Sequence, residues 1–243
     1  MPYWKIHAQV ANKLNSKLNY YEDKDKFLLG NILPDMYGGH VVKNVSKFIE
    51  YQVSHYREYT IINGGKFCLP DYETFKNVHL DDIQDPLILG YLVHLMTDYY
   101  FNKYTYTNKV LLDNSGEVCG IKTKRNETLE CNRNTMIRIK QEDFNSFEKV
   151  LNIDNVSIAY TSNILDSLSK LKTFEVEQKD IIKVINYFNS LNASADNNVK
   201  VPLILYSKEM LNVMIDDCVN FIFEYITSTI IKGNYKYYII FNI

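Results

Sequence analysis

A chain of 243 residues, of which 46% are apolar and 14% aromatic, is long enough to bury the core of one large domain. Its 27 basic and 29 acidic residues are evenly spread and give a net charge of −2, so the sequence predicts no basic face for nucleic-acid binding. There is no signal-peptide pattern, no apolar run long enough to span a membrane and no CxxC pair among the four cysteines. These features favour a cytoplasmic protein without a transmembrane segment.

Helical spacing of the apolar residues dominates the chain. Val10 and Leu14 recur on one helix face, and the segment that begins with Asp85 as cap and Pro86 in the first turn is apolar on almost every side. The pattern predicts helices near 4–18, 41–61, 86–104, 136–151, 155–172, 177–192 and 203–231, the last of which ends at Gly233. The tail 234–243 fits either an edge strand or a disordered end.

Residues 108–132 interrupt the helical pattern. A short apolar run leads into the turn sequence Asp113-Asn114-Ser115-Gly116, alternation follows, and the segment 128–131 fits a further strand. We therefore predict an all-α multi-helix bundle in a single domain, 1–243, with a small β-hairpin inserted near 108–132. The half 1–104 carries the candidate site, and 136–232 supply the C-terminal helices.

Two polar residues stand out in the apolar helix 86–104. His94 and Asp98 are four residues apart, so imidazole and carboxylate lie on the same face within reach of one metal ion. A buried histidine that is hydrogen-bonded to an aspartate one turn away has the same spacing. The pair alone does not decide between a metal site and a polar core.

Three further residues extend this pair into a candidate metal site. Asp35 follows a proline at the end of a short helix, His55 lies near the end of the predicted helix 41–61, and His7 lies in the first helix. Helical bundles build metal sites in their cores from such residues on separate helices. Imidazole and carboxylate ligands suit zinc, with iron or manganese as alternatives.

The chain has two other histidines. His40 follows two glycines and competes with His55 for the same role, because a glycine-rich loop could bring it to the site. His55 is favoured, since Arg57 lies two residues on and its guanidinium could hold a phosphate oxygen. His79 lies in a polar link and is predicted to be a surface residue.

These residues stand in motifs that resemble one protein family. The motifs occur in order within residues 1–104: Trp4-x-x-His7, Gly30-Asn-x-x-Pro-Asp35, Ser54-His55-Tyr-Arg57 and Gly90-Tyr-Leu-Val-His94-Leu-Met-Thr-Asp98-Tyr-Tyr-Phe-Asn102. They resemble the bacterial zinc-dependent phospholipase C family, whose all-α fold is shared by the single-strand-specific fungal nucleases. The C-terminal half is similar only in being helical.

The resemblance implies one or two zinc ions. The first would be held by Asp35, His55, His94 and Asp98. The second would be held by His7 and the shared Asp98, together with the amine of an N-terminal tryptophan in the family. Trp4 is not the first residue here, so that amine is missing unless the chain is processed, and the second ion stays open.

The family's third ion uses histidines downstream of the His-x-x-x-Asp pair, and no histidine follows His94 in this chain. The third site is therefore either missing or rebuilt from carboxylates such as Asp216 and Asp217. A solvated helix face explains these two carboxylates more simply.

The resemblance implies a phosphoric ester hydrolase, similar to a phospholipase C-like phosphodiesterase, that uses metal-activated water on a small phosphodiester or a phospholipid. Asp35 would orient or deprotonate the water, and Arg57 or Lys5 would offset charge on the phosphoryl group. The rival interpretation is a catalytically degenerate binding or interaction protein of the same fold. Loss of the downstream histidines favours the rival, whereas retention of all the N-terminal candidate ligands favours the enzyme.

Overall fold

Helices make up most of the structure, a computed structural model that describes residues 3–18, 23–39, 41–151, 153, 156–191 and 202–231. The helices are α1 (Trp4–Leu18), α2 (Lys24–Ile32), α3 (Tyr51–Ser54), α4 (Tyr72–Val78), α5 (Pro86–Asn108), α6 (Arg133–Val150), α7 (Ile164–Leu168), α8 (Gln178–Leu191) and α9 (Lys208–Tyr225). Short 3-10 turns lie at Leu33–Asp35 and Leu80–Asp82, and a π-helical turn, Ile226–Ile231, continues α9. The predicted helix end at Gly233 and the tail 234–243 lie outside the described residues.

Helix α5 forms the centre of the fold. Its N-terminus is capped by Asp85, whose carboxylate accepts a hydrogen bond from the backbone N–H of Leu87 at 3.0 Å. Most of its residues are buried, because α1, α2, α4 and α9 all pack against it. A helix that is apolar on almost every side is expected to be buried in this way.

Two glycines allow α2 and α5 to cross at backbone contact. A Cβ atom added at Gly90 would lie 2.1 Å from the carbonyl oxygen of Phe27, and one added at Gly30 would lie 1.9 Å from the carbonyl oxygen of Leu87. Any larger residue at either position would therefore push the helices apart. The close crossing brings Asn31 and the following Leu33–Asp35 turn alongside the middle of α5.

The strands form two small antiparallel sheets. One is a hairpin of β1 (Arg57–Ile62) and β2 (Gly65–Pro70), paired from Arg57 opposite Pro70 to Ile62 opposite Gly65. The other contains β3 (Val110–Leu112), β4 (Val118–Lys122) and β5 (Thr128–Glu130) in that order. The predicted β insertion after the central helix is confirmed, including its third strand.

The predicted helix 41–61 is wrong. Only the short helix α3 forms there, and the chain then enters β1. The turn residues Asn63 (φ 52°) and Gly64 (φ 92°) adopt the left-handed backbone that closes a tight hairpin, and they fix strand pairing on either side. Tyr59 and Ile61 both lie on β1 and are each 67% exposed. The fold is therefore mostly helical with two small antiparallel sheets, which is compatible with the predicted helical fold with a β insertion.

The predicted helix 155–172 is also largely wrong, since α7 is the only helix in its described part, 156–172. The side chain of Asn189 on α8 holds the backbone of Ile158 in a non-helical conformation: it donates to the carbonyl oxygen and accepts from the N–H, each at 2.9 Å. These two bonds take the place of the intrahelical hydrogen bonds that the backbone of Ile158 would otherwise make. The predicted helices 136–151 and 177–192 correspond to α6 and α8.

The predicted helix 203–231 begins later than the sequence pattern suggests. The Asp143 carboxylate accepts hydrogen bonds from the backbone N–H groups of Ile204, Leu205 and Tyr206, at 2.8, 2.6 and 3.0 Å. These three residues therefore wrap around a carboxylate, and α9 starts after its cap at Ser207. Within the described ranges, no helix is both long enough and apolar enough to cross a membrane.

Candidate metal centre

Helix α5 presents His94 and Asp98 on its buried face. Both side chains are fully buried, and His94 Nε2 lies 3.6 Å from Asp98 Oδ2. His94 Nδ1 lies 2.7 Å from the backbone carbonyl oxygen of Asn31, which can only accept, so Nδ1 carries the proton. Nε2 of His94 then faces the carboxylates, and this is the atom that a metal-ligating histidine oriented by a backbone carbonyl offers to the ion.

His7 and Asp35 approach from two other elements. The His7 ring on α1 stacks on the His94 ring, with centroids 3.9 Å apart and planes 5° apart, and its Nε2 lies 3.3 Å from Asp98 Oδ1. Asp35 ends the 3-10 turn that directly continues α2 and contains Pro34. Its Oδ2 lies 3.9 Å from His94 Nε2.

His55 completes the cluster from the C-terminal end of α3. Its Nε2 lies 3.5 Å from Asp35 Oδ1, 3.4 Å from Asp98 Oδ2 and 3.1 Å from His94 Nε2. Its other ring nitrogen, Nδ1, lies 2.8 Å from the Ser54 hydroxyl. Tyr51, one turn earlier, stacks on the His55 ring at 3.5 Å, and its hydroxyl donates to Asp98 Oδ2 at 2.7 Å.

The side chains form two overlapping groups that could each hold a metal ion. Within each group, one ligand atom from each residue lies within 4.8 Å of the others. One group consists of His7, His94 and Asp98, and the other consists of Asp35, His55 and His94, so His94 belongs to both. The structure thus brings together all the ligands that the sequence predicted.

Several atoms of this cluster have no hydrogen-bond partner in the described part of the chain. They are both ring nitrogens of His7, Asp35 Oδ1 and Asp98 Oδ1. His7 Nε2 and Asp98 Oδ1 are close, but their geometry does not make a hydrogen bond. Buried polar atoms are normally satisfied, and buried carboxylates need a cation. A bound cation at this position would satisfy them, so the donor set fits a metal ion.

Burial and charge set the protonation of the cluster. Burial lowers the pKa of His7, and it lowers the pKa of His55 to about 4, so both imidazoles are neutral and have a lone pair to offer. Burial also lowers the pKa of His94, but the Asp35 and Asp98 carboxylates outweigh it and the pKa is raised. Burial raises the pKa of Asp98, but the surrounding imidazoles bring it well below its usual range. Asp98 is therefore a carboxylate.

A cavity of about 450 Å³ reaches the cluster from the surface. Asp35 and Tyr51 line it on the side of the cluster, and Arg57 and Lys140 also line it. The Arg57 guanidinium lies over the Tyr51 ring, 4.8 Å from the centroid. The cavity therefore places two cationic side chains next to the candidate metal ligands, which is a suitable lining for an anionic ligand.

No protein-family model, curated protein or solved structure matches this chain. The phospholipase C resemblance of the motifs stays a prediction. The geometry of the cluster and the cavity carries the functional argument.

The sequence did not reveal three side chains around the site. Tyr51 was not among the predicted site residues, although it stands four residues before His55 and so shares its helix face. Lys140 comes from α6, far along the chain, and no local pattern marks it. Glu148, also on α6, accepts a hydrogen bond from the backbone N–H of Lys5 at the start of the helix that carries His7, and burial raises its pKa to about 7.

The remaining predicted residues have varied outcomes. His79 is not a surface residue: it is fully buried, its Nδ1 lies 3.0 Å from the carbonyl oxygen of Phe75, and its Nε2 accepts from the backbone N–H of Lys172 at 2.9 Å. These two backbone contacts explain its burial in a polar link. Asp216 and Asp217 are exposed, as a solvated helix face requires. His40 lies outside the described residues.

Proposed function

We propose that this protein is a metal-dependent hydrolase of a phosphate ester. The proposal rests on the buried cluster of His7, Asp35, His55, His94 and Asp98, several of whose nitrogen and oxygen atoms have no hydrogen-bond partner in the described part of the chain. Asp35 connects this cluster to a cavity that Arg57 and Lys140 also line. Imidazole and carboxylate ligands favour zinc, and the two overlapping groups allow one or two ions.

A zinc ion held there would supply Lewis-acid activation of water and of a phosphoryl oxygen. Asp35 lines the cavity and has an unpartnered Oδ1, so it can orient the attacking water and accept its proton. An oxygen–phosphorus bond forms as the bond to the leaving oxygen breaks. The planar Arg57 guanidinium can pair with the phosphoryl oxygens as charge develops on them.

A second candidate function is a binding protein in which the same residues form a polar core. The contacts of 3.1 Å between His55 Nε2 and His94 Nε2 and of 2.7 Å between the Tyr51 hydroxyl and Asp98 favour this alternative. The unpartnered atoms of His7, Asp35 and Asp98 oppose it, because a self-sufficient polar core leaves no buried atom unsatisfied.

Hydrolysis of bis(4-nitrophenyl) phosphate tests the proposal. We expect zinc-loaded protein to release 4-nitrophenol and metal-free protein to release none above background. Asp35→Asn keeps the shape of the side chain but removes its basicity, and we expect it to lower kcat by about a hundredfold, the lower end of general-base effects. Zinc content is measured in the same samples, because Asp35 is also a candidate ligand.

His79→Gln is the matched control, since it changes a buried histidine outside the cluster and should leave the rate unchanged. Turnover that is equal with and without metal, or that survives in Asp35→Asn, would contradict the proposal. Stoichiometric zinc without turnover of phosphodiesters or phosphomonoesters would favour the binding protein.

A further inference from the structure

We propose that Lys140 forms a subsite for a second anionic group, a phosphate or a carboxylate, on a ligand that occupies the cavity beside the His/Asp cluster. The identity of the first anionic group rests on the proposed function, since that group would be the reacting phosphate ester. It predicts a polyanionic substrate and disfavours one with a cationic headgroup such as choline.

Lys140 is a buried cation with only neutral partners. Its side chain is 3% exposed, and its ammonium group donates to Asn102 Oδ1 at 2.6 Å and to the Tyr106 hydroxyl at 3.4 Å. Within the described ranges no carboxylate lies within ion-pair distance of it. An ammonium group has three N–H bonds, so one remains for a ligand.

A buried cation without a counter-charge is unfavourable unless an anion compensates it. Lys140 lines the same cavity as Arg57 and Asp35. Lys140 and Arg57 are cationic, and a metal ion bound to Asp35 would offset the negative charge of its carboxylate. The cavity would then present an excess of positive charge to its ligand.

The spacing along α5 sets the distance between the two anionic positions. Asp98, Asn102 and Tyr106 follow one another at intervals of four residues, so all three lie along one face of the helix. Asn102, which holds the Lys140 ammonium, is one turn beyond Asp98, or about 6 Å along the axis. A ligand that reaches both the cluster and Lys140 therefore carries its second anionic group a few bonds from the first.

Two soluble phosphonates that differ only in the second anionic group test this subsite. Propane-1,3-diphosphonate and propylphosphonate are titrated calorimetrically into metal-free and zinc-loaded protein. We expect the diphosphonate to bind about tenfold more tightly, as one additional charge-assisted hydrogen bond allows. The preference should persist without metal, because Lys140 and Arg57 are independent of the ion, so a failed hydrolase proposal would leave this result intact.

Lys140→Gln should abolish the preference, Lys140→Arg should retain it, and Arg138→Gln, an exposed cation on the same helix, should leave it unchanged. Folding of each variant is checked by circular dichroism. Equal affinity of the parent for both phosphonates, or an undiminished preference in folded Lys140→Gln, would overturn the subsite. If Lys140→Gln does not fold, the parent protein is tested with phosphocholine and the diphosphonate. A preference for phosphocholine would overturn the Lys140 subsite, and a preference for the diphosphonate would support it.

Discussion

The melting temperature of the metal-free protein is expected to rise by roughly 8–16 °C when free zinc is held about 1,000-fold above its Kd. The reason is linkage: an ion that binds the folded cluster and not the unfolded chain adds about 4 kcal/mol to the free energy of unfolding under those conditions. We expect zinc to bind the folded cluster because its carboxylates are buried among imidazoles and several of its atoms have no hydrogen-bond partner in the described part of the chain. Thermal melts followed by circular dichroism measure the shift.

Two variants separate this site from adventitious binding. The His94→Ala/Asp98→Ala variant lacks His94, which belongs to both groups, and Asp98 on the same helix. Zinc should therefore no longer raise the melting temperature of this variant. His79→Gln should retain the full shift, because His79 bonds only to backbone groups outside the cluster. An equal zinc-induced shift in the double variant would place the bound ion elsewhere in the molecule.

Gly90→Ala is expected to lower the free energy of unfolding by about 3 kcal/mol or more, the upper range for overpacking. The added Cβ would lie 2.1 Å from the carbonyl oxygen of Phe27 and 3.0 Å from the backbone nitrogen of Asn31. These backbone atoms can yield only if α2 moves away from α5. The Asn31 carbonyl that orients His94 would move with α2, so zinc affinity should fall by about tenfold or more.

Gly64→Ala is the matched control for this substitution. Nothing lies within 4 Å of a Cβ added at Gly64, and its φ of 92° makes the cost one of backbone strain only, about 1 kcal/mol. Chemical denaturation measures both stabilities, and competition with a chromophoric chelator measures zinc affinity. A Gly90→Ala protein with the stability and zinc affinity of the parent would show that the close crossing of α2 and α5 does not position His94.

The predictable parts of the fold were those in which local signals agreed. The segment after Asp85 combined a cap, a first-turn proline and continuous apolar sequence, and α5 forms there. At 41–61 the apolar residues allowed helical spacing, but Asn63-Gly64 is a hairpin turn and decided the outcome. The segment 155–172 could not be predicted locally, because the side chain of Asn189, a long-range partner, holds its backbone.

The candidate site was predictable where ligands repeat at helical spacing or follow a turn. His94 and Asp98 share a helix face, and Asp35 follows Pro34 in the 3-10 turn at the end of α2. Lys140 and Glu148 were not predictable, because only the packing of α6 against the N-terminal elements brings them to the site. The burial of His79 was missed for the same reason, since one of its partners, Lys172, lies far along the chain.

Elemental analysis of the purified protein shows whether the His/Asp cluster holds a metal ion. We expect about one or two equivalents of zinc, iron or manganese per chain, as the two overlapping groups of His and Asp allow. We expect the folded His94→Ala/Asp98→Ala variant to contain none. Parent protein that contains no metal, and that takes up none on reconstitution, would contradict the metal centre and leave the cluster as a polar core.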